Sequence, residues 1–348
     1  MRVLLADPPA FTPAYDHALA AALAAAGAEV ELVTARFRFG EAPRPDGYRR
    51  TELFYGLSGR VFRRSRLRLP LKLAEHAVGL ARLAGRAADV THFQWLPVPQ
   101  LDDLLLRRRH PSVLTAHDVL PRRTARRRAR RGPRLGRLAA GGVPRERARG
   151  ALVALGVPAA RLRVIPHPVF PADVTPADDG RTVLALGVIR PYKQLEHAVE
   201  AARRADARLL VAGDPAMPLR RPAGDGVEWR LGYLPEDELD RALADSTLAV
   251  FPYRAELDQS GALLRALGAG VPAVVYDVAG LPEPVRAFGA GRVVPADDVG
   301  ALAGAVRELL DDPDALAAAR EGARRARAAL TWDASARAHL ELYEELRG

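Results

Sequence analysis

Short apolar runs alternating with longer helix-patterned segments restrict the fold of this chain more than any other feature. Residues 3–6, 29–34, 90–95 and 112–116 read as buried strands, with helical patterns at 15–26, 67–87 and 101–109 among them. A chain that opens strand, helix, strand carries its neighbouring strands parallel, because the helix returns the backbone over the sheet. The second half repeats the rule. Strands are expected there at 182–186, 208–212, 227–231, 247–251, 273–276 and 292–294, with helices near 194–204, 236–244, 260–268, 281–288, 297–310 and 313–329. At 348 residues the chain is about twice a usual domain, so the expectation is α/β with two Rossmann-like, doubly wound parallel-sheet domains. The expected boundaries are 1–169, 170–330, and a last helix over 331–348 that packs back on the first domain. Residues 36–60 read as loop, 145–155 as helix, 164–165 as strand, and the stretch 170–180, rich in Pro and Asp, as the linker. Residues 138–146 show no convincing strand, so the first sheet is expected to lose one there.

Several function classes fall away on composition. There is no cysteine, hence no disulfide framework, no thiolate metal site and no cysteine nucleophile, which suits a cytoplasmic location. The opening run meets Asp7 too soon for a secretory signal, and no window has the length of apolar sequence needed to span a bilayer. The turn after the first strand, residues 7–13, lacks G-x-G-x-x-G, which argues against a nicotinamide or flavin enzyme. A net charge of +10 points to an anionic partner. Nine arginines fall between Arg122 and Arg137, and Arg60, Arg63, Arg64, Arg66, Arg68 and Lys72 form a second group. The run from Arg122 to Arg137 reads either as a solvated helical face or as a patch that docks an anionic membrane surface. No aromatic residue interleaves it, so nucleic acid is not an expected partner.

The chemistry concentrates at Gly187-Val188-Ile189-Arg190-Pro191-Tyr192-Lys193, a loop between an expected strand and its following helix. Glycine and two cations at such a junction suit an anion. Lys193 is one of two lysines against fifty arginines, so a compact ammonium there is a selected feature. A second loop, Asp258-Gln259-Ser260-Gly261, opens another helix on the same carboxyl-terminal edge of the sheet, where ligands of such sheets bind.

Taken with Thr115-Ala116-His117-Asp118, Pro166-His167-Pro168, Gly232-Tyr233-Leu234 and Gly268-Ala269-Gly270-Val271-Pro272, these motifs resemble the family-4 type of retaining glycosyltransferases, of GT-B architecture. The order and spacing of the motifs carry the resemblance, which covers most of the chain. It implies two domains facing across a cleft and a nucleoside diphosphate-sugar donor bound by the second. It further implies an unknown hydroxyl acceptor on a glycan, a lipid-linked carrier or a small molecule. By resemblance, Arg190 and Lys193 hold the diphosphate beside Gly187, the backbone N–H groups of Ser260 and Gly261 add hydrogen bonds to it, and Asp258 and Gln259 belong to the same donor-sugar-binding loop. Leu234 borders the base and Leu264 the ribose. His117 lies beside the transferred sugar, and Tyr15, Gln94 and Trp95 are acceptor-side candidates. Asp16 and His17 are expected at the surface or the cleft edge, and His167 as a hinge contact. Fixed cations and amide hydrogens aimed at a departing diphosphate stabilise the transition state beyond the ground state. No Asp-x-Asp motif stands in the first half, so no metal or other cofactor is expected.

The pattern departs from the family in three places. Arg265 stands where many members carry a glutamate that bonds the ribose, and a cation cannot accept those hydrogen bonds. The opening loop has prolines in place of a glycine pair, and the 138–146 stretch lacks the usual apolar strand. These leave two further readings: a sugar-nucleotide-binding protein with impaired chemistry, and a sugar-nucleotide epimerase.

Overall fold

The computed structural model describes residues 1–37, 42–58, 68–98, 102, 110–117, 140–143, 146–177, 180–219, 226–254 and 260–348. The chain divides into one unit of Met1–His167 with Trp332–Gly348 and a second of Pro168–Thr331. The helix Trp332–Glu345 therefore belongs to the first unit, where it packs on the helix Pro13–Ala25. Asp258, Gln259, the helix expected over 101–109 apart from Asp102, and the arginine run from Arg122 to Arg137 lie outside the described residues.

The first unit is built on a seven-stranded sheet of β1 (Arg2–Asp7), β2 (Glu29–Ala35), β3 (Arg49–Phe54), β4 (Val90–Phe93), β5 (Ser112–Thr115), β6 (Ala140–Val143) and β7 (Leu162–Val164). Their order is β3-β2-β1-β4-β5-β6-β7, and every pairing is parallel. Leu4, Leu5, Leu32, Val33 and Phe93 fill its interior. Two strands correct the expectation. β6 does exist, with Val113 opposite Ala140 and Gly141 opposite Leu162. Ala-Gly-Gly-Val carries no apolar period, but a strand held on both sides needs only its backbone hydrogen bonds. β3 occupies the stretch read as loop, because its pairing is polar. Arg49 and Thr51 donate to Glu31 of β2 at 2.7 and 2.6 Å, and Arg86 also bonds that carboxylate. Charged residues are what an edge strand carries to blunt further pairing.

The second unit holds a six-stranded parallel sheet, order β10-β9-β8-β11-β12-β13. Its strands are β8 (Thr182–Leu186), β9 (Arg208–Gly213), β10 (Val227–Leu231), β11 (Leu248–Phe251), β12 (Ala273–Tyr276) and β13 (Gly291–Val294). Val183, Leu184, Leu209, Val250, Val274 and Leu267 pack one core from both faces of this sheet. Strand residues apolar on both faces are the mark of a sheet covered by helices on each side. The stretch read as linker is bound into this unit from its start. Val169 donates to Leu330 O at 2.9 Å, Val169 and Ala172 are buried, and Arg327 reaches Ala172 O and Asp173. In each sheet the strand order reverses once, between β1 and β4 and between β8 and β11. Such a reversal opens a crevice at the carboxyl ends of the strands, and both motif sets sit there.

Candidate active site

In the second unit the site begins where β8 ends. Gly187 takes φ +90°, and its amide bonds Ala212 O at 2.8 Å. A Cβ on Gly187 would stand 3.0 Å from Lys193 Nζ and 3.2 Å from Ala262 Cβ. The lysine head and the first turn of the helix Gly261–Gly268 therefore both close on Gly187. Gly213 at the end of β9 is tighter still, since a Cβ there would meet Gly187 O at 2.4 Å. Only glycine allows these backbones to approach so closely.

Lys193 lies in a single 3₁₀ turn, Pro191–Lys193, entered through Arg190 and left through Gln194 at φ 45°. That turn is tied to the end of β11 because Arg254 N donates to Tyr192 O at 2.8 Å. The ammonium points back to the strand tip, donating to Leu186 O at 2.8 Å and standing 5.1 Å from the centre of the Tyr253 ring. Burial, then the neighbouring Arg190 charge, brings its pKa down to about 7. Among the described residues no acid pairs with either the ammonium or the guanidinium, an arrangement that an incoming anion would relieve. Arg190 is exposed at the mouth of the turn. Ser260 caps the following helix, its Oγ accepting from Leu263 N at 3.2 Å. The amides of Gly261 and Ala262 remain first-turn donors that the helix cannot satisfy itself. Leu234 and Leu264 are buried, Leu264 within the core. Sequence reading missed Tyr253, which is buried under Lys193 and stacks edge-on to Tyr192 at 5.8 Å. The signal was present in Phe251-Pro252-Tyr253-Arg254, which directly follows the strand expected over 247–251.

In the first unit, His117 follows β5 and is 9% exposed. Its Nε2 bonds Gln94 Oε1 at 2.8 Å, and Trp95 stacks on its ring at 5.2 Å and 17°. Because a carbonyl oxygen accepts, Nε2 carries the hydrogen and Nδ1 keeps its lone pair. Burial, then His167 and His339, brings the His117 pKa down to about 3, so the imidazole is neutral. Gln94 in turn bonds His92, whose ring reaches Thr115 Oγ1 at 2.7 Å and Tyr343 Oη at 2.6 Å. Tyr15 stands edge-on to His117, His167 and Trp332 at 4.9, 4.7 and 5.2 Å. Of the three acceptor-side candidates, Gln94 and Tyr15 are buried and orient His117, whereas Trp95 keeps partial exposure beside the exposed Phe11.

Asp16 and His17 correct the expectation of a surface position, at 2% and 5% exposure. The helix Pro13–Ala25 turns that face inward. Asp16 accepts from Thr12 Oγ1 at 3.3 Å and adjoins Asp7, whose Oδ2 accepts from Thr12 N at 3.1 Å. Burial, then mutual repulsion, holds the Asp16 carboxyl well above its usual range, and burial raises Asp7 also. The pair is an acid dyad that retains a proton.

Two family descriptions match the chain: glycosyl transferases group 1 over residues 180–312 and glycosyltransferase family 4 over residues 15–172. The exopolysaccharide phosphotransferase SCO2592 of Streptomyces coelicolor is 32% identical over 204 residues, 55% of this chain and 22% of that protein. Sucrose-phosphate synthase from Thermosynechococcus elongatus has a similar structure, TM-score 0.78 at 22% identity, covering 99% of each chain. So does Anabaena Alr3699/HepE in complex with UDP-glucose, TM-score 0.73 at 14% identity, covering 99% of this chain and 100% of that one. At these identities the structural likenesses speak for the fold. The chain spans less than half the length of the curated relatives it matches.

Proposed function

The chain belongs to the group 1 glycosyltransferases, and from that premise we propose that it moves a sugar from a nucleoside diphosphate-sugar to a hydroxyl acceptor, with retention at the anomeric carbon. The observation that carries the reading is the meeting of Lys193 Nζ and the Gly261–Gly268 helix start on Gly187. As the glycosidic C1–O bond breaks, its electron pair passes to the β-phosphate oxygen. Lys193, Arg190 and the amides of Gly261 and Ala262 meet the charge that develops there. The acceptor oxygen bonds to C1 on the same face, and its proton passes to the departing phosphate. Neutral His117 accepts a hydroxyl hydrogen at Nδ1, because Gln94 fixes the hydrogen on Nε2. The chemistry calls for no metal, since the cations and the helix start supply the positive charge. UDP-glucose, the ligand of the Anabaena neighbour, is the first donor to try. No described helix is long and apolar enough to cross a membrane, and we place the reaction in the cytoplasm with the sugar nucleotides.

The test is turnover of a UDP-, GDP-, ADP- and TDP-sugar panel by the wild-type chain and by Lys193→Ala, with glycan and lipid extracts as acceptors. Wild type releases nucleoside diphosphate and Lys193→Ala slows release by about a hundredfold or more. Equal turnover by the two proteins, or a product of inverted anomeric configuration by NMR, refutes the corresponding part of the reading.

A further inference from the structure

Among the described residues, the side-chain charges placed at the phosphates, Arg190 and Lys193, are both positive, and a carboxylate is fixed at the other end of the site. Glu236 opens the helix Glu236–Ala244, two residues beyond the Gly232-Tyr233-Leu234 loop at the end of β10. Arg265, on the second turn of the Gly261–Gly268 helix, grips it with two bonds, Nη1 to Oε2 at 2.6 Å and Nη2 to Oε1 at 2.8 Å. The guanidinium also lies 4.7 Å from the centre of the Phe170 ring. Phe170 is itself fixed, since a Cβ on Gly268 would stand 2.0 Å from Phe170 O, and its ring edge lies 4.0 Å from where a Cβ on Gly261 would be. One aromatic ring thus spans from Arg265 to the helix start that faces the diphosphate. On the other side, Glu236 and Arg265 both act on the Tyr233 phenol, which is half exposed.

The division of exposure shows which partner serves which. The Arg265 side chain is 17% exposed and the Glu236 side chain 67%. The arginine is the mount, and the carboxylate is what solvent or a ligand meets. Each oxygen gives one lone pair to Arg265 and keeps another. A carboxylate next to the phosphates would repel them, so it suits the part of the ligand that carries only hydroxyl and amide hydrogens. In a nucleoside diphosphate that part is the ribose, with two adjacent hydroxyl donors set for two adjacent acceptors.

We propose that Glu236, held by Arg265, is the ribose-binding carboxylate of this donor site. The inference rests on the donor reading above and assigns its nucleoside end. Glu236 accepts from the 2′- and 3′-hydroxyls, while Arg265 is a positioning residue that fixes the carboxylate plane and balances its charge. The acceptor that Arg265 cannot itself supply is thereby carried by a residue twenty-nine positions earlier.

The experiment is titration calorimetry of the full chain with UDP, ADP and GDP, each against its 2′,3′-dideoxy counterpart, for wild type, Glu236→Ala, Arg265→Lys and Lys193→Ala. Wild type binds its preferred ribonucleotide at least tenfold more tightly than the dideoxy form, the scale expected of hydrogen bonds to a charged group. Glu236→Ala weakens the ribonucleotide to the level of the dideoxy form and leaves the dideoxy affinity within about twofold. Arg265→Lys falls between, because an ammonium keeps the charge and loses the fork. Lys193→Ala weakens both forms equally and leaves the ratio intact. A Glu236→Ala protein that still discriminates tenfold, or a wild type that does not discriminate, overturns the assignment while leaving the donor site standing. Failure of wild type to bind any of the nucleotides overturns the donor reading and this inference together. A merely structural role for Glu236 shifts both nucleotides alike and leaves the ratio unchanged, which also counts against it.

Discussion

Donor binding should depend on pH through Lys193, and the sign follows from its surroundings. In the free protein the ammonium titrates near 7, because burial and Arg190 both disfavour its charge, against an ordinary 10.5. An anion between Lys193 and Arg190 favours the charged form and lifts that value again. Binding therefore takes up a proton at any pH between the two values. Affinity is fully present below pH 7 and falls as pH rises, by a factor approaching ten per unit. With a free value of 7, the dissociation constant should rise about thirtyfold between pH 6 and pH 8.5. A nucleoside diphosphate-sugar is the ligand to use, because its two phosphates each keep one charge across that range. Calorimetry at pH 8 in two buffers of different ionisation enthalpy should show uptake of about 0.9 proton per ligand. Lys193→Arg is the control, since guanidinium stays charged throughout; it should bind more weakly at pH 6 and lose the slope. A flat wild-type profile, or an equal slope in Lys193→Arg, refutes the argument.

Three further outcomes are expected. Gly187→Ala puts a methyl 3.0 Å from Lys193 Nζ at φ +90°, so unfolding free energy should drop by about 1–3 kcal/mol in a urea titration and donor affinity with it. Gln94→Leu strands the Nε2 hydrogen of buried His117 and frees its tautomer, so steady-state kinetics should show kcat lower by about a hundredfold while donor Kd is unchanged. Asp16→Asn relieves the dyad with Asp7. The folded protein keeps a proton there that the unfolded chain releases, so this contribution is full below the unfolded carboxylate value and is lost as pH rises through the folded one. Asparagine should thus raise Tm at pH 8 and gain little at pH 4, and melting curves at the two values settle it.

Much of this architecture is written in side-chain pattern, and what was misread is what side chains do not record. The strands at 182–186, 247–251 and 273–276 are legible because covered parallel strands are continuous apolar runs. β6 escapes notice because Ala-Gly-Gly-Val is a strand by backbone alone, and β3 because its opening residues Arg49, Arg50, Thr51 and Glu52 are polar, with Arg49 and Thr51 bonding Glu31 of the neighbouring β2. Lys193 stands out by its rarity and Gly187 by its place after a strand. Asp16 and His17 were misplaced because an alanine-rich helix gives little sign of which face turns inward. The Glu236–Arg265 pair is invisible in sequence, since twenty-nine residues and a strand separate residues that fold places within hydrogen-bond reach.

The backbone contact between Gly213 and Gly187 extends one residue further, because Gly232 N donates to Gly213 O at 3.2 Å. The loops after β8, β9 and β10 are thereby coupled through main chain, with no flexible side chain between them to absorb a shift. Grafting a loop from a relative at 232–236 to alter nucleoside preference would tug on the phosphate loop as well. Chimeras that exchange all three strand tips as one block should keep activity where single-loop exchanges lose it.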